Sequence, residues 1–324
     1  MLARRVLVTG GAGFIGTRLA ERLAGTREVV LFDNFRRDSL RYSRALRDEK
    51  GVEVRTGDVL DAKAVGTAVA GVDAVVHLAA IAGVSSYYGE PLRTLQVNVM
   101  GTVNVLEAVA RQRVGRVVYL STSEVFGTHA LWVDEDSPHG IGPVTDRRWV
   151  YATSKLAGEH FVLRAGEQHG FAATVLRPFN VYGPRQTGEG AISNFCRAAV
   201  RGEPLRVYGD GSAIRAWCYV DDAVDAIEAA LDASAAGGEV FNMGNPREVE
   251  TTMGLARRVS DVAESCGLPR PEIAVCDVRQ AEVRARVPNI DRAREKLRFD
   301  PRISLAEGLR RTLAWFRDEE AGPV

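Results

Sequence analysis

The chain has 324 residues, 46% apolar and 26% charged, a length that suits one large domain with a smaller lobe. Its 42 Lys and Arg balance 42 Asp and Glu, so no net field draws in a polyanion, which argues against nucleic acid and for a small-molecule partner. No uncharged apolar run approaches the roughly 18 residues of a membrane span. The start "MLARRVLVTGG" has too short an apolar run for a signal peptide. Cys196, Cys218, Cys266 and Cys276 show no zinc spacing. The expectation is a soluble cytoplasmic protein with reduced packing thiols and no metal.

Apolar runs alternate with helical patterns through the first half: Val6 to Thr9, Val29 to Phe32, Val52 to Thr56, Ala74 to Ala79, Val117 to Leu120 and Ala173 to Leu176. Continuous Val/Leu-rich runs suit strands buried on both faces, so the fold class is α/β, a doubly wound parallel sheet. "VLVTGGAGFIG" sets Gly10, Gly13 and Gly16 between the first strand and a helix that begins around Phe14 and Ile15. There the backbone must approach a pyrophosphate at a helix N-terminus. The second strand, "EVVLFD", ends at Asp33, followed by Asn34. A carboxylate there binds a ribose diol and repels a 2′-phosphate, which favours NAD over NADP. Arg36 and Arg37 close by read either as a solvated loop or as an NADP feature. In "TGDVLD", Asp58, next to Val59, reads either as an acceptor for the adenine amino group or as a helix N-cap.

"YLSTSEVFG" ends an apolar run in Ser121, Thr122 and Ser123, and Glu124 follows. Beside an anionic substrate a further carboxylate costs affinity, so it needs a chemical task; otherwise it is a surface charge at a strand end. "YATSK" puts Tyr151 and Lys155 on one helix face. An ammonium there lowers the phenol's pKa and lets tyrosine accept a hydroxyl proton. The five histidines, His77 among them, do not cluster and carry no assigned chemistry.

After Arg177 the pattern loosens into turn-rich "RPFNVYGPR" and "GEPLRVYGDGS", returns at "YVDDAVDAIEAAL" and "EVFNMGN", and closes with amphipathic patterns in "NIDRAREKLRF" and "SLAEGLRRTLAWFRDE". This predicts a dinucleotide-binding domain over 1–176, completed by roughly 221–245, and a smaller substrate-binding lobe from 177–220 and 246–324.

In this order and spacing, "TGGAGFIG", "HLAA", "STSEVFG", "YATSK" and "RPFNVYGPR" resemble the extended short-chain dehydrogenase/reductase superfamily acting on nucleotide sugars, over nearly the whole chain. The resemblance implies a Rossmann fold and bound NAD, with Leu78, Ala79, Ala80 and Asn98 added to the cofactor site. It implies that Thr122 and Tyr151 contact the sugar's 4-hydroxyl, that Lys155 holds the nicotinamide ribose, and that Asn180, Arg185, Tyr208 and Arg215 lie on the substrate side. Asn194 and Phe195 then approach the uracil. It also implies a two-fold dimer through helices around 97–110 and 154–167.

Three reactions of this superfamily begin with removal of hydride from C4 by NAD: 4-epimerisation, 4,6-dehydration and decarboxylation of UDP-glucuronate. Dehydratases of the dTDP-glucose type carry an Asp-Glu pair after the threonine. Here Ser123 replaces the Asp and Glu124 remains, and "STSE" resembles the UDP-glucuronate decarboxylases. That likeness extends to "GPVTDRRWVYATSK", "IRAWCY" around Arg215 and "NMGNP", and it puts Tyr87 of "SSYYGEP" beside the sugar. The expected reaction is decarboxylation of UDP-glucuronate to UDP-xylose or UDP-4-keto-pentose, with Ser123, Glu124 and Arg215 acting at C5. A nucleotide-sugar 4-epimerase or 4,6-dehydratase is the alternative within the fold, and a non-catalytic nucleotide-binding regulator the alternative outside it. Phe126 replaces the tyrosine usual in "EVYG", either as a packing change or as a lost hydroxyl contact.

Overall fold

Seven parallel strands form the spine of the molecule, a computed structural model that describes residues 3–277 and 283–320. They are β1 (Arg5–Thr9), β2 (Glu28–Asp33), β3 (Val52–Thr56), β4 (Ala74–His77), β5 (Arg116–Leu120) and the strands Ala172–Pro178 and Glu239–Met243. The order across the sheet is Glu239–Met243, Ala172–Pro178, β5, β4, β1, β2, β3. Central runs such as Val6–Val8 and Ala74–Val76 are inaccessible to solvent, which is why they read as continuous rather than alternating apolar segments. β3 lies at the edge and carries Glu53 and Arg55 outward, charges that discourage further strand pairing.

Helices cover both faces. On one side α1 (Phe14–Leu23) buries Leu19 and Leu23 against Val224 and Ile227 of the helix Val220–Asp232. On the other, Val105 and Val109 of Gly101–Gln112 pack with Val162 of Val150–His169. The chain turns from β1 to β2 and β3 on one side, then crosses to β4 on the other. The reversal opens a crevice at the carboxyl ends of β1 and β4, where ligands of open α/β sheets bind.

A smaller layer stands beyond that edge. Its four-stranded sheet runs in the order Val249–Thr251, Ile214–Ala216, Ala285–Pro288, His129–Val133. The helices Ala191–Arg201, Thr252–Ser265 and Leu305–Glu320 share a core of Phe195, Leu255, Leu309 and Phe316. Two segments cross the boundary drawn from the sequence. His129–Val133 lies within 1–176 yet joins the small sheet, and Ile290, Ala293, Leu297 and Phe299 pack into the core of the large sheet. Among the described residues no helix is long and apolar enough to cross a membrane, and no three ligating side chains group as a metal site.

Candidate active site

The crevice is a cleft of about 380 Å³. Gly10 has φ +69°, and a Cβ on it would lie 2.7 Å from the Ala79 nitrogen; a Cβ on Gly16 would run into the Gly10 carbonyl. Only glycine permits this cradle. α1 starts at Gly13 with no side-chain cap, which leaves its first N–H groups for an anion. Gly10, Gly13, Phe14, Ile15, Gly16, Asp33, Asn34, Val59, Leu78, Ala79, Ala80, Tyr151 and Lys155 all line the cleft. Asp33 is held in place by Ala12 N (3.0 Å) and Phe35 N (2.7 Å). Burial raises its pKa while these amides pull it down. A carboxylate at the end of β2 facing a glycine cradle fits the adenosine ribose and diphosphate of NAD.

Asp58 and Asn98 stand off the cleft wall. Asp58 accepts from Leu60 N (2.9 Å), Asn34 (3.2 Å) and Arg93 (3.1 Å), and the N-cap of the next helix is Asp61, bonded to Lys63 N and Ala64 N. Asn98 is buried and bonds both Ile81 N (2.8 Å) and Ile81 O (3.1 Å), together with Ser154 Oγ (2.9 Å). Its amide ties the cleft wall to the helix bearing Tyr151. Arg36 is an exposed loop residue paired with Glu90, Arg37 is half-buried and donates to Ser86 Oγ (2.9 Å), and both line the cleft.

Beside Tyr151, Thr122 follows β5 in extended conformation and caps the turn Ser123–Phe126 by accepting from Glu124 N at 3.1 Å. That turn buries Ser123 and brings Glu124 inward. Opposite it, Asp146 caps the turn Arg147–Trp149 that launches the helix Val150–His169. Burial, and then the Glu124 charge, push the Tyr151 phenol up, while a Thr122 hydrogen bond pulls it down. Burial lowers the Lys155 ammonium to about 7, opposed by Glu159. Lys155 Nζ also sits 4.3 Å from the centre of the Tyr119 ring. Tyr87 stacks parallel on Tyr151, ring centres 5.8 Å apart.

The residues absent from the sequence reading are Arg148 and Arg286. Arg148 pairs with Glu124 at 3.0 Å and hydrogen-bonds the Tyr87 hydroxyl; Arg286 pairs with Glu124 at 3.3 Å and donates to Gly127 O at 3.3 Å. Both are 5% exposed, and the Nε of each has no hydrogen-bond partner among the described residues. Arg148 was findable, since it precedes Tyr151 by three residues, one helical turn. Arg286 carried no local signal. Parallel pairing of Ile214–Ala216 with Ala285–Pro288 sets Arg215 beside Arg286, and the guanidinium of Arg215, expected at C5, donates to Ile214 O (2.9 Å) and Val283 O (2.7 Å).

Other substrate-side expectations divide. Asn180 lines the cleft with φ +38° and donates to Ala216 O at 2.9 Å. Arg185 pairs with Glu21 of α1. Phe195 is buried in the core of the small layer, Asn194 is exposed on the same helix, and Tyr208 is exposed at the end of Leu205–Tyr208. None of these four lines the cleft. Phe126 lies between His139 and Phe179 with Arg177 over its ring, a packing role. His77 is held between Thr9 (2.6 Å) and Thr102 (3.0 Å), and burial lowers its pKa to about 3, so it is a neutral structural residue.

Known proteins are similar to this chain in sequence and in fold. The chain is 34% identical to the UDP-N-acetyl-alpha-D-glucosaminuronate decarboxylase of Bacillus cytotoxicus, over 98% of this chain and 99% of the relative. It is 34% identical to the dTDP-glucose 4,6-dehydratase of Streptomyces niveus (98% and 94%) and 33% identical to UDP-glucuronic acid decarboxylase 1 of Arabidopsis thaliana (97% and 70%). The solved UDP-glucuronic acid 4-epimerase of Bacillus cereus, in complex with UDP-glucuronic acid and NAD, superposes with a TM-score of 0.87 at 27% identity, over 97% of this chain and 99% of that one. The model of the NAD dependent epimerase/dehydratase family matches residues 6–244, and with NAD as the cofactor its cleft is shaped for, the chain belongs to that family.

Proposed function

We propose that the protein decarboxylates a UDP-hexuronate, UDP-glucuronate or its 2-acetamido analogue, through a C4-keto intermediate. One observation carries the reading: two buried guanidiniums, Arg148 and Arg286, converge on the single carboxylate of Glu124 and keep unpartnered Nε–H groups. Among the described residues this cluster is one negative charge short, and an uncompensated buried charge costs several kcal/mol. A C6 carboxylate supplies the missing charge; the hydroxymethyl group of a neutral hexose does not.

Tyr151, with Lys155 charged beside it, takes the proton of the C4 hydroxyl, and Thr122 orients that oxygen. NAD supplies the hydride acceptor at C4 when bound. The resulting β-keto acid breaks its C5–C6 bond; the electron pair moves to O4 as an enolate, which Tyr151, Thr122 and the Lys155 charge stabilise, and carbon dioxide leaves. Pairing with arginine stabilises the carboxylate before the step, so Arg148 and Arg286 select the uronate and orient the breaking bond, and the ketone drives its loss. Glu124, held by both arginines beside Ser123, then orients the solvent water that delivers a proton to C5 of the enolate. From UDP-glucuronate the product would be UDP-xylose if Tyr151 reprotonates O4 as C4 is reduced again, and the 4-keto-pentose if it is released first.

The test is to supply UDP-glucuronate labelled with ¹³C at C6 and trap the gas. Labelled carbon dioxide is the expected outcome, and a bound but intact uronate refutes the reading. In Arg286→Met the preference for UDP-glucuronate over UDP-glucose should shrink by on the order of 100-fold, the scale for leaving one partner of a buried charge pair alone.

A further inference from the structure

One turn after Lys155 on the same helix stands Glu159, 3% exposed and outside the reaction just described. It accepts the Ser121 hydroxyl at 2.5 Å and a forked pair from Arg177, Nε at 2.9 Å and Nη2 at 2.7 Å. Ser121 directly precedes Thr122. Arg177 closes the strand Ala172–Pro178, three residues before Asn180, and is itself fixed by Glu135 O (2.9 Å), His139 Nε2 (2.8 Å) and the face of Phe126 (4.9 Å). The carboxylate therefore fastens together the two strand ends that border the site and the helix that carries Tyr151 and Lys155.

A buried ion pair is weak evidence of a stabilising role, because well-packed apolar side chains often serve as well. This pair is asymmetric. Its anion is the neighbour of Lys155 at i and i+4, while its cation faces away toward Phe126 and His139. Among the described residues the other groups near Lys155 are Tyr119, whose ring centre lies 4.3 Å from Nζ, His77, and Tyr151 one turn earlier on the same helix, none of them an anion in its resting form.

We propose that Glu159 is a positioning residue for the proton-transfer pair: through Ser121 it fixes the strand end that carries Thr122, and it is the counter-charge that keeps Lys155 an ammonium next to Tyr151. The inference rests on Tyr151 and Lys155 serving as the proton-transfer pair of the proposed reaction. When that pair shares one proton between phenol and amine, Glu159 favours the ammonium–phenolate arrangement, the form that acts as a base. Burial alone drives Lys155 the other way, toward the neutral amine.

The chain has four lysines, Lys50, Lys63, Lys155 and Lys296, so the ε-carbon signal of Lys155 is assignable by NMR in protein labelled only at lysine, with Lys155→Arg as the reference. In Glu159→Gln the Lys155 midpoint should fall by about one pH unit, a tenfold change in its proton affinity, whereas Glu159→Asp, which keeps the charge, should hold it near the unmodified value. An unchanged midpoint in Glu159→Gln overturns the proposal, as does an equal fall in Glu159→Asp. If Glu159→Gln fails to fold because Arg177 is left unpaired, Glu159→Gln with Arg177→Met removes both buried charges and must show the same fall. No sugar nucleotide enters the measurement, so an error in the substrate assignment cannot imitate either result.

Discussion

The proposed reaction turns on Glu124. Its carboxylate faces two buried arginines, and Glu124→Gln keeps the shape while raising the local excess of positive charge. Uronate binding should therefore persist or tighten while turnover falls by on the order of 100-fold, the scale of a positioned acid–base group; steady-state kinetics with the KM and kcat effects separated checks this. The Tyr151 and Lys155 pair sets the pH dependence. Lys155 is lowered to about 7 by burial, so the pair sheds its first proton there, and only then does one member become a base. kcat/KM should rise with pH through an acid limb near 7 and fall again when the second proton leaves. At the other end of the cleft, Asp33→Ala removes both the ribose ligand and the repulsion of a 2′-phosphate, so titration should show NAD weakened more than NADP. Local motifs made Tyr151, Lys155, Glu124 and Asp33 legible in the sequence. Arg286 was not, because only strand pairing across the small sheet brings it to Glu124, and Arg215 beside it has the same side-chain chemistry.

At the scale of elements, the apolar runs marked the buried strands because a strand covered on both faces has no polar alternation to hide it. His129–Val133 escaped for the opposite reason: it is an edge strand with Leu131 and Trp132 exposed, so its residues do not separate into an inner and an outer set. Helix placement depends on small details of the same kind. A Cβ on Gly158 would run into the Tyr119 hydroxyl, so Gly158→Ala forces the helix Val150–His169 away from β5. Denaturant unfolding should show a loss of about 1–3 kcal/mol, the cost of overpacking. Asp61→Ala, which only uncaps the helix Ala62–Val69, should cost about 1 kcal/mol. Gly158→Ala should also slow turnover, and Asp61→Ala should leave it unchanged.

Over the whole molecule, the two layers meet where the sheet reverses, so the cofactor cleft belongs to the large sheet while the charge cluster is assembled from both: Glu124 and Arg148 from one, Arg286 from the other. A uronate bound there would bridge the layers. The outer faces of Gly101–Gln112 and Val150–His169 are proposed to form a two-fold dimer, since Met100 (57%), at the start of the first, and Phe161 (45%), on the second, stand exposed and four such helices make an isologous contact. Phe161→Asp should convert the dimer to a 35.2 kDa monomer by light scattering.

The central claim is that a nucleotide-sugar cleft with one anion too few is completed by a uronate and removes its carboxyl group. It is tested most directly by mass spectrometry of the products formed from UDP-glucuronate, UDP-N-acetylglucosaminuronate and UDP-glucose by the NAD-loaded protein. The account predicts loss of carbon dioxide from one or both uronates and no reaction of UDP-glucose. Conversion of a uronate to an isomer of unchanged mass, or loss of water from a neutral sugar, would contradict it.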